Sequence, residues 1–107
     1  MHTIQYNKLV RDRIPEIIEA SGKKCVCSIL SDEEYLAKLD EKLNEELAEY
    51  QESKSMEELA DLLEVIRTVA VARGSSIDEV EAIRRDKAAT RGGFEKKMLL
   101  TEVTTDD

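Results

Sequence analysis

Apolar residues recur every three or four positions through the middle of the chain, which is the spacing of an amphipathic α-helix. With about 100° of rotation per residue, they form two stripes: Leu36, Leu39, Leu43, Leu47 and Tyr50, and then Leu59, Leu62, Val65, Ile66 and Val69. We predict one helix from Ser31 to about Glu52 and a second from Ser55 to Arg73. The connection at 53–55 is so short that the two helices should pack antiparallel.

The flanking segments predict two further helices and, with a weaker pattern, a small sheet. A first helix should run from about Ile14 to Ser21, and a fourth from Ile77 to about Thr90. Apolar residues alternate along 24–30, so this segment could pair with 94–103 as a two-stranded element packed on the helices. The sequence therefore predicts a mostly α four-helix bundle, folded as one domain over residues 1–107.

Each of the two central helices carries a pair of acids three residues apart, Glu46 with Glu49 and Glu58 with Asp61. The first acid of each pair lies about 60° from the centre of its apolar stripe and the second about 120°. Three other acids, Glu45, Glu57 and Glu64, lie about 160–180° away, where acids of a water-soluble helix normally face solvent. Acids at the edge of a core lose hydration and repel one another unless a cation lies between them.

Four carboxylates without a neighbouring His or Cys favour a hard cation, Mg²⁺ first and Mn²⁺ as a substitute. Magnesium in proteins commonly shares its coordination with phosphate oxygens, so a polyphosphate is the expected substrate class. Basic residues at both ends of the chain, Lys8, Arg11, Lys87 and Arg91, could hold the remaining phosphate charge. Simpler interpretations remain open: Glu58 as part of a capping box with Ser55, and the basic residues as solvated charge.

Composition narrows the function classes. The 107 residues carry a formal net charge of −8, which argues against non-specific binding to nucleic acid or to an anionic membrane. We find no apolar run of about 20 residues and no signal-peptide core, so we expect a cytoplasmic protein. Cys25 and Cys27 are interpreted as reduced packing residues, because one intervening residue makes an intrachain disulfide awkward.

The segments Glu45-Glu46-Leu-Ala-Glu49 and Glu57-Glu58-Leu-Ala-Asp61 resemble the E-E-x-x-E and E-E-x-x-D helices of the all-α nucleoside triphosphate pyrophosphohydrolases. That superfamily includes MazG, dimeric dUTPases and phosphoribosyl-ATP pyrophosphohydrolase. Residues 6–12 and 42–46, and Lys87 together with 91–94, are similar to a short single-domain branch described as phosphoribosyl-ATP pyrophosphohydrolase-like.

The resemblance implies Mg²⁺-dependent hydrolysis between the α and β phosphates of a nucleotide, in a protein that dimerises. It implies Glu46, Glu49, Glu58 and Asp61 as catalytic metal ligands, with a further carboxylate such as Glu45 acting through water. The four basic residues would contact phosphate. Asp86-Lys87 stands where many MazG relatives carry Asn-Lys, which leaves base recognition open.

Three functions remain in competition. The first is a house-cleaning nucleoside triphosphate pyrophosphohydrolase, and the second is the same bond cleavage on phosphoribosyl-ATP. The third is a non-catalytic helical dimer whose acids are solubilising charge or a docking surface. Binding of Mg²⁺ separates the first two from the third, since a ligand that binds only the native state must stabilise it.

Overall fold

The computed structural model describes residues 2–106, which form four α-helices and no strand. The helices are α1 (Ile14–Ala20), α2 (Asp32–Ser53), α3 (Met56–Ala72) and α4 (Ile77–Arg91). The predicted mostly α, four-helix class is confirmed, and each predicted helix bound lies within about one residue of the observed one. The chain divides into two compact units, residues 1–77 and 78–107.

Serine caps set the starts of α2 and α3. The Ser31 hydroxyl accepts a hydrogen bond from the Glu34 N–H at 3.2 Å, and Glu34 Oε1 accepts one from the Ser31 N–H at 3.2 Å. Ser55 Oγ likewise accepts from the Glu58 N–H at 3.2 Å, but among the described residues the Glu58 carboxylate makes no return bond to Ser55. The capping box predicted at Ser55 is therefore only half formed, and the Glu58 carboxylate is left for another role.

The two long helices are joined by a turn that reverses the chain at once. Lys54 adopts a left-handed conformation with φ of 59°, and its N–H donates to the Tyr50 carbonyl at 2.7 Å, which closes the last turn of α2. Helices α2 and α3 pack against each other, as the short connection predicted. The acid pairs near the turn are thereby brought onto facing helices.

The core of this hairpin is small. Leu39, Val65 and Ala70 are the buried apolar residues among those described, and Leu39 is only 2% exposed. Other members of the predicted stripes lie nearer the surface: Leu47 is 42% exposed and Leu59 37%. A stripe predicted from periodicity shows which face is apolar, but the neighbouring elements decide how much of that face is covered.

The two-stranded element considered for 24–30 and 94–103 is not formed in the described part of the chain. Val26 and Ile29 are almost fully exposed, and so is Phe94. A strand is stabilised by a paired neighbour and a covered face, and a two-stranded ribbon is marginal even with both. Local alternation of apolar residues supplies neither, so the sheet prediction was wrong here.

Two smaller expectations concern the cysteines and the membrane. Both cysteines are free; Cys25 is half-buried with Sγ 3.9 Å from the Pro15 carbonyl oxygen, whereas Cys27 is exposed and does not pack. Within residues 2–106, none of the helices is both long enough and apolar enough to cross a membrane.

Candidate metal centre

Carboxylates from α2 and α3 meet on one side of the helical hairpin. They form two overlapping groups in which each residue offers an oxygen within 4.8 Å of the others: Glu45, Glu46 and Glu49, and Glu46, Glu58 and Asp61. We call these five residues the acid cluster. It contains all four ligands predicted from the sequence, and Glu46 belongs to both groups.

Glu46 is the buried member of the acid cluster. The residue is 6% exposed, and its Oε2 finds no hydrogen-bond partner in the described part of the chain. Its Oε1 lies 3.4 Å from the Lys42 Nζ. Burial raises the pKa of Glu46 and the adjacent Glu49 carboxylate raises it further, while Lys42 opposes both effects. A desolvated carboxylate oxygen facing other carboxylates is unfavourable unless a proton or a cation lies between them.

The donor set fits a hard divalent cation. All the converging atoms are carboxylate oxygens, which suit Mg²⁺ or Mn²⁺ better than softer metals. The Oε2 of Glu46 adds an observation that acidic composition alone does not give, since a solvated acidic surface has its oxygens in water. The residues present therefore fit such an ion, with Glu46 at the point where the two groups overlap.

Two basic residues of the N-terminal segment reach the acid cluster across the sequence. Lys8 Nζ donates to Glu45 Oε1 at 3.1 Å, and Arg11 Nη2 donates to Asp61 Oδ1 at 2.7 Å. The bond to Glu45 raises the pKa of Lys8. The structure thus brings together six of the eight predicted site residues: Lys8, Arg11, Glu46, Glu49, Glu58 and Asp61.

The other two predicted residues lie in the second unit. Lys87 and Arg91 occupy the last turns of α4, where they line a groove together with Arg84, Gly93 and Phe94. Three cations line this groove, but Glu95 lines it as well, and Arg84 is paired with Glu81 at 2.6 Å. A role for Lys87 and Arg91 at the acid cluster stays a prediction.

Glu45 corrects one expectation. It was expected to face solvent, about 160° from the apolar stripe of its helix. Instead it is half-buried, and its Oε1 accepts hydrogen bonds from Lys8 at 3.1 Å and from Lys42 at 3.2 Å. Burial opposes its ionisation, but the two lysines outweigh burial, and the pKa of Glu45 is lowered. The helical wheel did not include the N-terminal segment, which delivers Lys8 to that side of α2.

Lys42 is the site residue that sequence reasoning missed. In the sequence Lys42 was considered only as part of the segment 42–46, and no role was predicted for it. In the structure it contacts both Glu45 and Glu46. Its spacing held the signal, because residues three and four positions apart are neighbours on a helix surface. Glu57 and Glu64 behave more nearly as expected: Glu57 is exposed, and Glu64 is half-exposed and 3.9 Å from Arg67.

A cleft adjoins the acid cluster within the first unit. Its volume is about 410 Å³, and its lining includes the cluster members Glu46 and Asp61. Its apolar lining comes from the N-terminal segment, α1, α2 and α3, and includes Leu9, Ile14, Ile17, Tyr35, Leu39 and Val65. A cleft of this size falls in the range that holds small organic ligands. The site therefore joins an anionic cluster, flanking cations and an apolar wall.

Comparison with known proteins assigns no activity to this arrangement. No family model matches the chain, and no solved structure matches it. An uncharacterized protein of Mycolicibacterium smegmatis (strain ATCC 700084 / mc(2)155) is 64% identical over 42 residues, which are 39% of this chain and 43% of that protein. The match thus spans less than half the length of its relative, so function has to be argued from the site itself.

Proposed function

We propose that the protein is a Mg²⁺-dependent nucleotide pyrophosphohydrolase, which cleaves a nucleoside triphosphate between the α and β phosphates and releases a monophosphate and pyrophosphate. The observation that carries this proposal is the buried Glu46, which belongs to both acid groups and whose Oε2 has no hydrogen-bond partner in the described part of the chain. The proposal takes its reaction class from the family resemblance of these two helices.

In this proposal Glu46, Glu49, Glu58 and Asp61 hold the metal ion, with Mn²⁺ able to replace Mg²⁺. When bound, such an ion neutralises phosphate oxygens and makes water a better nucleophile at neutral pH. Lys42 keeps Glu46 in place through its 3.4 Å contact. The lysines lower the pKa of Glu45 and keep that carboxylate ionised. Because a lowered pKa also makes it a weaker base, its role in this proposal is to orient water by accepting a hydrogen bond.

The cations and the cleft supply substrate binding. Lys8 and Arg11 reach the acid cluster and are more than 40% exposed at their side chains, so a phosphate chain could contact them. The apolar lining of the cleft, including Tyr35, would receive the uncharged part of a nucleotide. Lys87 and Arg91 would hold further phosphate charge.

The assembly and the location belong to the same proposal. Large apolar residues on α3 are exposed, among them Met56 at 69%, Leu63 at 57% and Val71 at 55%. A surface of this kind favours a homodimer, because contiguous exposed apolar area commonly marks an interface. We propose a cytoplasmic protein, in keeping with its free cysteines.

Product analysis tests the reaction. Purified protein is incubated with Mg²⁺ and a panel of canonical and modified nucleoside triphosphates plus phosphoribosyl-ATP, and pyrophosphate is scored against orthophosphate. We expect pyrophosphate with the matching monophosphate, abolished by Glu46→Gln and retained by Glu57→Gln, which changes an exposed acid. Activity on phosphoribosyl-ATP far above every triphosphate would assign the alternative substrate. Folded protein that binds no Mg²⁺ and releases no product would favour the non-catalytic dimer.

A further inference from the structure

Arg11 and Asp61 form an ion pair between residues 50 positions apart in the sequence. Arg11 Nη2 lies 2.7 Å from Asp61 Oδ1, and the side chains are 57% and 41% exposed. Asp61 also offers an oxygen to the group it forms with Glu46 and Glu58. One carboxylate therefore serves two roles, as partner of a guanidinium and as a member of the candidate metal centre.

A guanidinium and a divalent ion on the same carboxylate repel each other. Their centres would lie only a few ångströms apart, a distance at which salt screens poorly, because the screening length at physiological ionic strength is about 8 Å. The pair with Asp61 is partly exposed, so it stabilises Arg11 only weakly and can be replaced by a divalent cation.

We infer that Arg11 is an internal counter-ion that competes with the metal for Asp61, and that metal binding transfers its guanidinium to the phosphate of the incoming substrate. The inference rests on the proposed function, since it requires a metal at the acid cluster. It gives Arg11 two opposite effects: weaker metal binding and stronger anion binding. Metal and anion then bind cooperatively through this one side chain.

The contacts of the neighbouring cations favour Arg11 for this role over Lys8. Lys8 and Lys42 both donate to Oε1 of Glu45, so release of one lysine leaves that carboxylate with a partner. Within residues 2–106, Arg11 is the basic side chain paired with Asp61. Displacing it therefore exchanges one cation for another at Asp61.

The position of Arg11 in the chain permits the transfer. It lies in the lead-in before α1, outside any helix, and its carbonyl accepts from the Ile14 N–H at 3.0 Å. That bond fixes the backbone while leaving the long side chain free to rotate between partners. A planar guanidinium also matches phosphate oxygens in a two-pronged contact, which makes it a suitable group to hand over to a phosphate.

The test measures Mn²⁺ affinity by the loss of the free-ion signal in electron paramagnetic resonance, on chelator-treated wild type, Arg11→Met, Arg11→Lys and Arg13→Met. Arg13 is the matched control: it lies two residues away, lines the same cleft, and pairs with Glu16 rather than with the acid cluster. We expect Arg11→Met to tighten Mn²⁺ binding about three- to tenfold. Arg13→Met should change it by less than about twofold, and Arg11→Lys should stay near wild type.

The second measurement is the affinity for methylenediphosphonate added as its Mn²⁺ complex. Here we expect Arg11→Met to weaken binding about tenfold, opposite in sign to its effect on Mn²⁺ alone. If Arg11 had only a structural role, Arg11→Met would weaken the binding of Mn²⁺ and of the diphosphonate complex alike. Circular dichroism establishes that each variant is folded, and Arg11→Gln replaces Arg11→Met if the latter is not.

The outcomes separate the inference from the proposed function. Equal Mn²⁺ affinity in wild type and Arg11→Met, or equal tightening by Arg11→Met and Arg13→Met, overturns the counter-ion role and leaves the metal centre standing. The counter-ion role is also overturned if Arg11→Met weakens the binding of both Mn²⁺ and the methylenediphosphonate complex. Folded wild type that binds no Mn²⁺ removes the metal centre itself, and with it the inference.

Discussion

Replacing Glu46 with Gln should stabilise the protein in the absence of divalent metal. Glu46 is 6% exposed, and the charge on its carboxylate faces the carboxylates of Glu49, Glu58 and Asp61. Gln has nearly the same shape, carries no charge, and brings an amide N–H₂ that can donate to those carboxylates. The substitution therefore removes a buried charge and supplies donors to its neighbours.

The expected gain in the free energy of unfolding of Glu46→Gln is the difference between two effects. Leaving a buried polar group unsatisfied costs about 1–3 kcal/mol. Against this, Gln gives up the 3.4 Å contact with Lys42, which we take as about 0.5–1 kcal/mol. A net gain of about 1 kcal/mol in the free energy of unfolding follows, and it should raise Tm by about 4–8 °C.

Thermal unfolding, followed by circular dichroism with chelator and with about 10 mM Mg²⁺, measures this. With a dissociation constant of about 1 mM, the metal should add about 1.4 kcal/mol to the wild type and far less to Glu46→Gln. The control, Glu57→Gln, should stay within about 0.5 kcal/mol of wild type in both buffers. Our interpretation of Glu46 as a buried metal ligand is wrong if Glu46→Gln lowers Tm in chelator. It is also wrong if Mg²⁺ stabilises Glu46→Gln as much as it stabilises the wild type.

Glu46 should also make the free energy of unfolding depend on pH, with a sign opposite to that expected for an acid in an ion pair. Because burial raises the pKa of Glu46, the folded state holds a proton that the unfolded state has released at pH values between the ordinary and the raised pKa. Stability in chelator should therefore fall as pH rises from the ordinary Glu value of about 4.3 through the raised pKa of Glu46. Glu46→Gln should lack this decline, and a profile as steep as that of the wild type would contradict the assignment.

Three further outcomes follow from the contacts. Leu39→Ala should cost about 2–5 kcal/mol in urea unfolding because Leu39 is 2% exposed, whereas Leu63→Ala, at 57% exposed, should cost the monomer much less. Ser55→Ala should lower the free energy of unfolding by about 1 kcal/mol through loss of the α3 cap, and no change would show that the 3.2 Å bond is unimportant. Carbon-detected NMR titration should find a pKa of about 2 for Glu81, held down mainly by the hydrogen bond from Arg84, and Arg84→Met should return it toward the ordinary value.

Periodicity predicted the helices well because the relevant information is local. The cap at Ser31, the reversal at Lys54 and the apolar spacing of α2 and α3 all lie within a few residues of the structure they determine. The pairing of Glu46 with Asp61 could also be predicted, since a short connection between two helices leaves little choice of arrangement.

The two predictions that failed, for Glu45 and for a strand at 24–30, depended on non-local contacts. The side of α2 that Glu45 occupies is covered by Lys8, 37 residues away, and no helical wheel contains that contact. A strand at 24–30 would depend on a pairing partner elsewhere in the chain, which local alternation cannot supply. In both cases the deciding interaction is non-local.

Stability and chemistry conflict at one position of α2. Elsewhere in α2 the local rules agree: Ser31 caps the helix, Lys38 pairs with Glu41 at 3.0 Å, and Leu39 fills the core. Glu46 departs from them, since a hydrophobic residue at that buried position would pack without a desolvation penalty. Local departures from otherwise consistent packing are expected where function requires them. In the proposed function, a cation shared by both acid groups would turn this unfavourable position of α2 into the centre of a binding site, which would account for the carboxylate buried there.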